Sequence, residues 1–247
     1  SFFKEQITEN NAAQILQGIK KLLIVDVILE RDKDDPQLIF ESLNSTGLDL
    51  SEADLIRNFI LMKQPVPVQT ELYEKYWYPM ENLFGEHIER LRLFFKDYLT
   101  MKNGKAPKIS LIYEAYKEFL KSDDALTIPQ AVEELYVYSQ YYTRMVLLGE
   151  KDPALGIIFK EISRMKMEVS YPLLLPCYHD YETGVIDKTE FIEVLNIVKN
   201  YVFRRSICGI ATNSLDKTFA SLYKKVRHEN YVESIKAAFV LMEKYQK

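Results

Sequence analysis

Apolar residues recur at the three- and four-residue spacing of an amphipathic helix along most of this chain of 247 residues. Short turns marked by proline, glycine or aspartate separate the periodic segments. The chain has only 8 glycines and 9 prolines, which is few for a β sandwich of this length, so helices are favoured. The pattern predicts a mainly α fold, an irregular multi-helix bundle. The predicted helices cover residues 12–22, 36–43, 52–64, 83–100, 109–120, 129–148, 153–167, 171–181, 188–206, 214–226 and 231–245.

One short segment breaks the helical pattern. Residues 23–29 read LIVDVIL, in which Leu23, Val25, Val27 and Leu29 form an apolar face, and this alternation predicts one residual β-strand near the N-terminus. A lone strand exposes unpaired backbone groups, so we expect it to be covered by helices or paired with another chain. We interpret residues 1–247 as a single helical domain, in which 1–35 are the remnant of a truncated N-terminal α/β domain and 36–247 form the helical region.

The segment from residue 35 to residue 61 places a polar loop between two helix signals. An aspartate and a proline at 35–36 form a helix start. Ser51 and Asp54 have the spacing of a capping box. The loop between the two helices contains Asn44, Ser45, Thr46 and Gly47. Two interpretations remain open, because these small polar groups suit a phosphate or a backbone partner and equally suit the capping of helix ends.

The run FESLNSTGLDLSEADLIRNFIL at residues 40–61 resembles the signature of the restriction proteins typified by GmrSD. Those proteins cut DNA that carries modified bases in a nucleotide-dependent way. A second match, YVFRRSICG at 201–209 followed by NSLDKTF at 213–219, resembles the segment with paired arginines that precedes the family's nuclease domain. The resemblance implies a role in restriction-modification and phage defence. It also implies that the loop at 44–47 borders a nucleotide pocket.

Two motifs of that family are absent from this sequence. It has no Asp-Gly-Gln-Gln-Arg nucleotide motif and no His-Asn-His nuclease site, and His87, His179 and His228 lack the spacing of metal ligands. The resemblance therefore implies the helical middle of a longer protein, linking a nucleotide-binding domain to a nuclease domain, with those flanking domains as partners. We expect no catalytic residue, metal site or cofactor within this piece. A nucleoside triphosphate and a divalent metal are expected for the parent protein.

The segment 199–228 is strongly basic in an otherwise acidic chain. It holds seven basic residues and one acid, Asp216, so its charge is +6 within a total of −4. Such a segment is typical of a surface that binds DNA phosphates. The predicted backbone contacts are Arg204, Arg205, Lys217, Lys224 and Lys225. The alternative is a helical protein-interaction scaffold without nucleic-acid chemistry, in which these charges lie on separate helix faces or complement acidic helices.

Aromatic residues and cysteines favour an ordinary packed interior. The aromatic residues at 73, 76–78, 136, 138, 141 and 142 suit base stacking, but tyrosines of amphipathic helices more often pack in a core, and we favour packing. The two cysteines, Cys177 and Cys208, are too few for a disulfide framework and are predicted to be buried thiols of a cytoplasmic protein. No apolar run is long enough to span a bilayer, so no membrane partner is expected.

Overall fold

The computed structural model describes residues 6–24, 26, 39, 50–62, 64–122, 126–210 and 214–244. The chain forms two compact units, residues 1–40 and residues 41–247. In the first unit, helix α1 spans Ala12–Ile19 and ends three residues before the predicted boundary. The predicted helix at 36–43, apart from Ile39, and the loop residues Asn44, Ser45, Thr46 and Gly47 lie outside the described residues.

The strand predicted for residues 23–29 is wrong where it can be seen. Leu23, Ile24 and Asp26 have irregular backbone, and Leu23 and Ile24 are exposed; the other strand residues lie outside the described set. The described residues contain no strand with which this segment could pair. An isolated strand has no ladder of hydrogen bonds to hold it extended, which is the physical reason that alternation alone was insufficient here.

The second unit is built from helices, and the mainly α prediction is confirmed. Its helices are α2 Glu52–Met62, α3 Val66–Leu72, α4 Tyr78–Phe84, α5 Arg90–Asn103, α6 Ile112–Ser122, α7 Ile128–Val146, α8 Pro153–Arg164, α9 Tyr171–Glu182, α10 Lys188–Ile207, α11 Leu215–Leu222 and α12 Tyr231–Lys244. A π-helical segment, Tyr73–Trp77, joins α3 to α4 without a break, and a 3₁₀ turn, Gly85–His87, separates α4 from α5.

Several helix boundaries follow from capping residues. Ser51 Oγ accepts the N–H of Asp54 at 3.2 Å, and Asp54 Oδ2 accepts the N–H of Ser51 at 3.3 Å, which is the predicted capping box before α2. Asp187 and Glu190 exchange the same pair of bonds at the start of α10, at 2.8 and 2.9 Å. Gly104 ends α5 at a φ of +71°, a left-handed conformation that glycine adopts without strain.

Helix α9 lies at the centre of the second unit, packed against α5, α7, α10 and α11. Most of its side chains are buried, among them Leu173, Leu174, Leu175 and Cys177, as expected for a helix that is apolar on all sides. Helix α12 packs against α10 and α11 at the edge of this core. No helix among the described residues is long and apolar enough to cross a membrane.

Aromatic side chains fill much of the core. The buried members of the predicted set are Tyr76, Trp77, Tyr138, Tyr141 and Tyr142, so the packing interpretation is confirmed for them. Tyr73 and Tyr78 are exposed. Of the two cysteines, Cys177 is buried as predicted, but Cys208 is exposed. That second prediction was wrong because Cys208 follows the last residue of α10, where the chain turns away from the core.

Candidate nucleic-acid interface

The basic segment 199–228 runs along four structural elements of the second unit. It begins at residue 199 in the second half of α10, continues through α11, and ends in two 3₁₀ turns, Tyr223–Lys225 and His228–Asn230, that lead into α12. Residues 211–213 lie outside the described set. Because the segment changes direction between these elements, its charges need not point the same way.

Arg205 is turned into the protein. Its side chain is only 5% exposed; Nη1 donates to the Tyr201 hydroxyl at 3.2 Å and Nη2 donates to Ser214 Oγ at 3.0 Å. Its guanidinium also lies 5.6 Å from the Tyr201 ring centroid, within cation–π range. Arg205 thus connects the end of α10 to the start of α11. The prediction that it contacts a DNA backbone is corrected, because a buried guanidinium with internal partners is not presented to a phosphate.

Lys199 is also committed within the protein. Its Nζ lies 2.6 Å from a carboxylate oxygen of Glu161 on α8, across the contact between α8 and α10. A partnered ammonium must break its ion pair before it can neutralise a phosphate. Lys199 was counted in the basic segment without being a predicted contact, and the structure gives no reason to add it.

Lys224, Lys225 and Arg227 line one groove of about 660 Å³, which we call the basic groove. Its other wall is α12, through Ser234, Ala237, Ala238 and Leu241. All three basic residues are exposed. Lys224 Nζ lies 3.4 Å from the carbonyl oxygen of Asn103, and Lys225 Nζ lies 3.8 Å from Met242 Sδ. These are long contacts, so both ammonium groups keep most of their hydrogen-bonding capacity.

Arg227 was not among the predicted contacts. Its backbone N–H donates to Ser234 Oγ at 2.9 Å, and that hydroxyl donates to the Tyr231 carbonyl at 2.8 Å. These two bonds hold the turn before α12 and so place Arg227 in the basic groove. The signal available in the sequence was the run KKVR at 224–227. Arg227 lies one residue beyond the predicted helix 214–226, so helical periodicity does not predict the direction of its side chain.

Arg204 belongs to a different groove, of about 590 Å³, between α10 and α12. Most of the side chains that line this groove are apolar, and we call it the apolar groove. On α12 the apolar groove is lined by residues 236, 239 and 240, whereas the basic groove is lined by residues 234, 237, 238 and 241. At about 100° per residue these two sets lie on opposite sides of the helix. Lys217 is exposed on α11 and lines neither groove. The structure therefore does not bring the predicted contacts onto one face: α12 separates Arg204 from Lys224 and Lys225, and Arg205 is buried.

The cations left at the surface have no ionic partner within the described residues. Arg204, Lys217, Lys224, Lys225 and Arg227 form no ion pair there. The lining of the basic groove contains no carboxylate. The groove can therefore accept an anion without first breaking an internal pair or placing that anion against a carboxylate. Chemically, it suits a chain of phosphates more than a neutral or cationic ligand.

Outside the two grooves, we looked for metal ligands, a catalytic histidine and the predicted nucleotide-pocket border among the described residues. No set of three or more histidine, cysteine or acidic side chains within them could hold a metal ion. His179 Nδ1 lies 3.5 Å from the Tyr141 hydroxyl, and its ring packs 5.3 Å from that of Tyr138. This is the environment of a packed helix residue. The predicted nucleotide-pocket border, Asn44 to Gly47, lies outside the described set.

Comparisons of the chain with models of protein families, with curated proteins and with solved structures gave no match.

Proposed function

We propose that this chain is the helical central region of a nucleotide-dependent, modified-DNA-specific restriction endonuclease-like protein, and that its basic groove contacts the DNA backbone. The observation that carries the DNA contact is the convergence of Lys224, Lys225 and Arg227 on one groove without a carboxylate. Lysine and arginine displace condensed counterions from DNA, and this displacement favours binding. The resemblance of residues 40–61 and 201–219 to the GmrSD-type proteins supplies the larger context.

In this proposal the helical region positions DNA and leaves base recognition and cleavage to other domains. Three cations in a groove can follow a phosphate backbone, but they carry no sequence information. The nucleotide-binding and nuclease domains would flank the helical region in the parent protein, and the nucleoside triphosphate and divalent metal would belong to them. The isolated chain is therefore expected to bind duplex DNA weakly, on the order of micromolar or poorer at physiological salt.

The test is a salt titration of duplex binding by the 247-residue chain. Fluorescence anisotropy of a labelled duplex gives the slope of log affinity against log salt. Replacing Lys224, Lys225 and Arg227 together by Gln should reduce that slope by about 3, because each phosphate contact contributes about 0.9. Lys199→Gln is the matched control, since Lys199 is already paired with Glu161, and its slope should equal that of the parent chain. Binding that is independent of salt, or equal losses in both variants, would contradict the DNA contact.

A protein-interaction scaffold remains the second candidate, and one observation favours it. The apolar groove between α10 and α12 is lined by two exposed apolar side chains, Ile210 and Val240. Clustered exposed apolar residues often mark a protein contact. The scaffold predicts no salt-dependent DNA binding. It also predicts that Val240→Ser lowers self-association or partner binding in sedimentation experiments while the triple Gln variant leaves it unchanged.

A further inference from the structure

A third, smaller pocket lies between α5, α7, α9 and α11. Its volume is about 130 Å³, enough for a small head group, because one water molecule needs only about 10–15 Å³ measured in this way. Three acidic residues from three different elements line it: Asp97 of α5, Glu168 of the 3₁₀ turn Glu168–Ser170, and Asp216 of α11. We call it the acidic pocket.

Asp97 lies at the buried side of the acidic pocket without a hydrogen-bonding partner. The residue is only 8% exposed, yet no described group donates a hydrogen bond or an ion pair to its carboxyl group. Buried carboxyl groups are ordinarily satisfied, because leaving one unpaired is costly. Because its oxygens are not sealed off from the pocket, this acid is placed to accept a hydrogen bond from a ligand there.

Tyr142 of α7 provides an independent sign of a ligand. It is 2% exposed and lines the same pocket, and within the described residues its hydroxyl has no hydrogen-bond partner. Its ring is held by Phe84, Phe94 and Tyr171, so the hydroxyl cannot easily turn elsewhere. A hydroxyl and a carboxyl group, each without a hydrogen-bond partner among the described residues, therefore border the same small space.

The charges around the acidic pocket select the sign of the ligand. Lys96 also lines the pocket, but it forms no ion pair with any carboxylate of the described residues. Arg90 Nη1 lies 3.9 Å from Glu168 Oε1, which is a loose contact at the rim. The three acids thus outnumber the single lining cation. Since the described residues contain no metal-binding cluster, the carboxylates are too dispersed for a shared metal ion and better suit a ligand with several spread N–H donors.

We propose that the acidic pocket binds a small organic cation, an alkylammonium or guanidinium group, with Asp97 as its central acceptor and the Tyr142 hydroxyl as a second contact. A guanidinium has five N–H donors in a planar fork that matches carboxylates. The source is either a free amine or the side chain of a lysine or arginine from another protein. Glu168 and Asp216 stand at the entrance, where they attract the cation.

Proton linkage gives this site a recognisable signature. The pKa of Asp97 is raised to about 8, chiefly by burial; Lys96 opposes this rise, and Glu168 and Asp216 add to it. The other groups that face Asp97 are Tyr142 and Tyr171, whose pKa values burial also raises. Because only the ionised acid attracts a cation strongly, affinity should rise about tenfold from about pH 7 to about pH 9.

The experiment is a titration of the ¹⁵N-labelled chain with methylguanidinium and with ethylammonium at constant ionic strength. Amide shifts should be confined to the region around Leu93, Asp97 and Tyr142, with millimolar affinity. Asp97→Asn should weaken binding at least about tenfold, whereas the matched control Glu229→Gln, an exposed acid outside the pocket, should not. If Asp97→Asn does not fold, Tyr142→Phe combined with Asp216→Asn tests the same site from two other elements.

Tetramethylammonium is the control ligand, because it carries the charge without an N–H donor. Binding of tetramethylammonium as tight as that of methylguanidinium, or no localised shifts at about 50 mM ligand and about pH 9, would overturn the proposal. Two further ligands separate the sources. Arginine blocked at both ends should match methylguanidinium if a protein side chain is the natural occupant, and putrescine should bind more tightly than blocked arginine if a free amine is.

Discussion

The hydroxyl of Tyr231 donates a hydrogen bond to the carboxylate of Asp180 at 2.6 Å, and this contact is buried. The Tyr223 hydroxyl donates to the same oxygen, Oδ2, at 2.7 Å. One carboxylate on the central helix α9 therefore fixes both the turn that follows α11 and the first residue of α12. Because α12 forms one wall of the basic groove and one wall of the apolar groove, Asp180 indirectly sets the geometry of both.

Removing one of these bonds should destabilise the fold measurably. Tyr231→Phe deletes the hydroxyl that donates to Asp180 and that also bonds with the Cys177 thiol. We expect the free energy of unfolding to fall by about 2 kcal/mol, the range for a hydrogen bond to a charged group. Tyr136→Phe is the matched control, since Tyr136 is partly buried and its hydroxyl has no partner within the described residues. Urea unfolding followed by circular dichroism measures both. Equal effects of the two substitutions would show that the bond to Asp180 contributes little.

Tyr116 presents the opposite case, a buried hydroxyl with no hydrogen-bond partner among the described residues. Its side chain is fully buried, and burial raises its pKa. Tyr116→Phe removes an unsatisfied polar group while keeping the ring, so the free energy of unfolding should rise by about 1 kcal/mol or stay unchanged. Tyr98→Phe is the contrasting variant, because the Tyr98 hydroxyl donates to Glu134 at 2.7 Å, and it should be destabilising. Urea unfolding measures both variants. A lower free energy of unfolding for Tyr116→Phe than for Tyr98→Phe would contradict the prediction.

The helices could be predicted because their signals are local. The capping pair Ser51–Asp54 is recognisable from two residues three positions apart, and it forms as predicted. The pair Asp187–Glu190 has the same spacing and forms the same bonds. The strand at residues 23–29 failed for the converse reason. Strand formation depends on a partner elsewhere in the chain, which no local pattern reports.

The candidate sites could be predicted only in part, because they depend on where helices pack. The positive charge of residues 199–228 is visible in the sequence, but the burial of Arg205 follows from the positions of Tyr201 and Ser214. The acidic pocket is even harder to predict from the sequence. Its acids are far apart in the sequence: 71 residues separate Asp97 from Glu168, and 48 separate Glu168 from Asp216. Taken alone, each looks like an acid on an ordinary solvated helix face.

The raised pKa of Asp97 has a consequence for stability as a function of pH. The folded protein keeps the proton up to about pH 8, whereas the unfolded chain releases it near the ordinary value of 3.8. Between these values the folded state binds more protons, so the free energy of unfolding should fall as pH rises, by at most about 1.4 kcal/mol per pH unit from this group, and level off above about pH 8. Asp97→Asn should flatten this decline.

Urea unfolding of the parent chain, of Asp97→Asn and of the exposed-acid control Glu229→Gln across this pH range measures the effect. The stability difference between Asp97→Asn and the parent should grow with pH in favour of the variant. The Glu229→Gln curve should run parallel to the parent curve. Parallel curves for all three proteins would mean that Asp97 is ionised in the folded state near its ordinary pKa.

Arg205 separates a structural role from a DNA-binding role within the same basic segment. Arg205→Lys keeps the positive charge but loses the planar fork that reaches Tyr201 and Ser214 together. We expect the free energy of unfolding to fall by about 1–3 kcal/mol, because buried donors and acceptors lose their partners. The slope of log affinity for duplex DNA against log salt should stay that of the parent chain. Arg204→Lys, an exposed neighbour on α10, should change neither quantity. A lowered salt slope for Arg205→Ala in folded protein would instead place this guanidinium at the DNA after all.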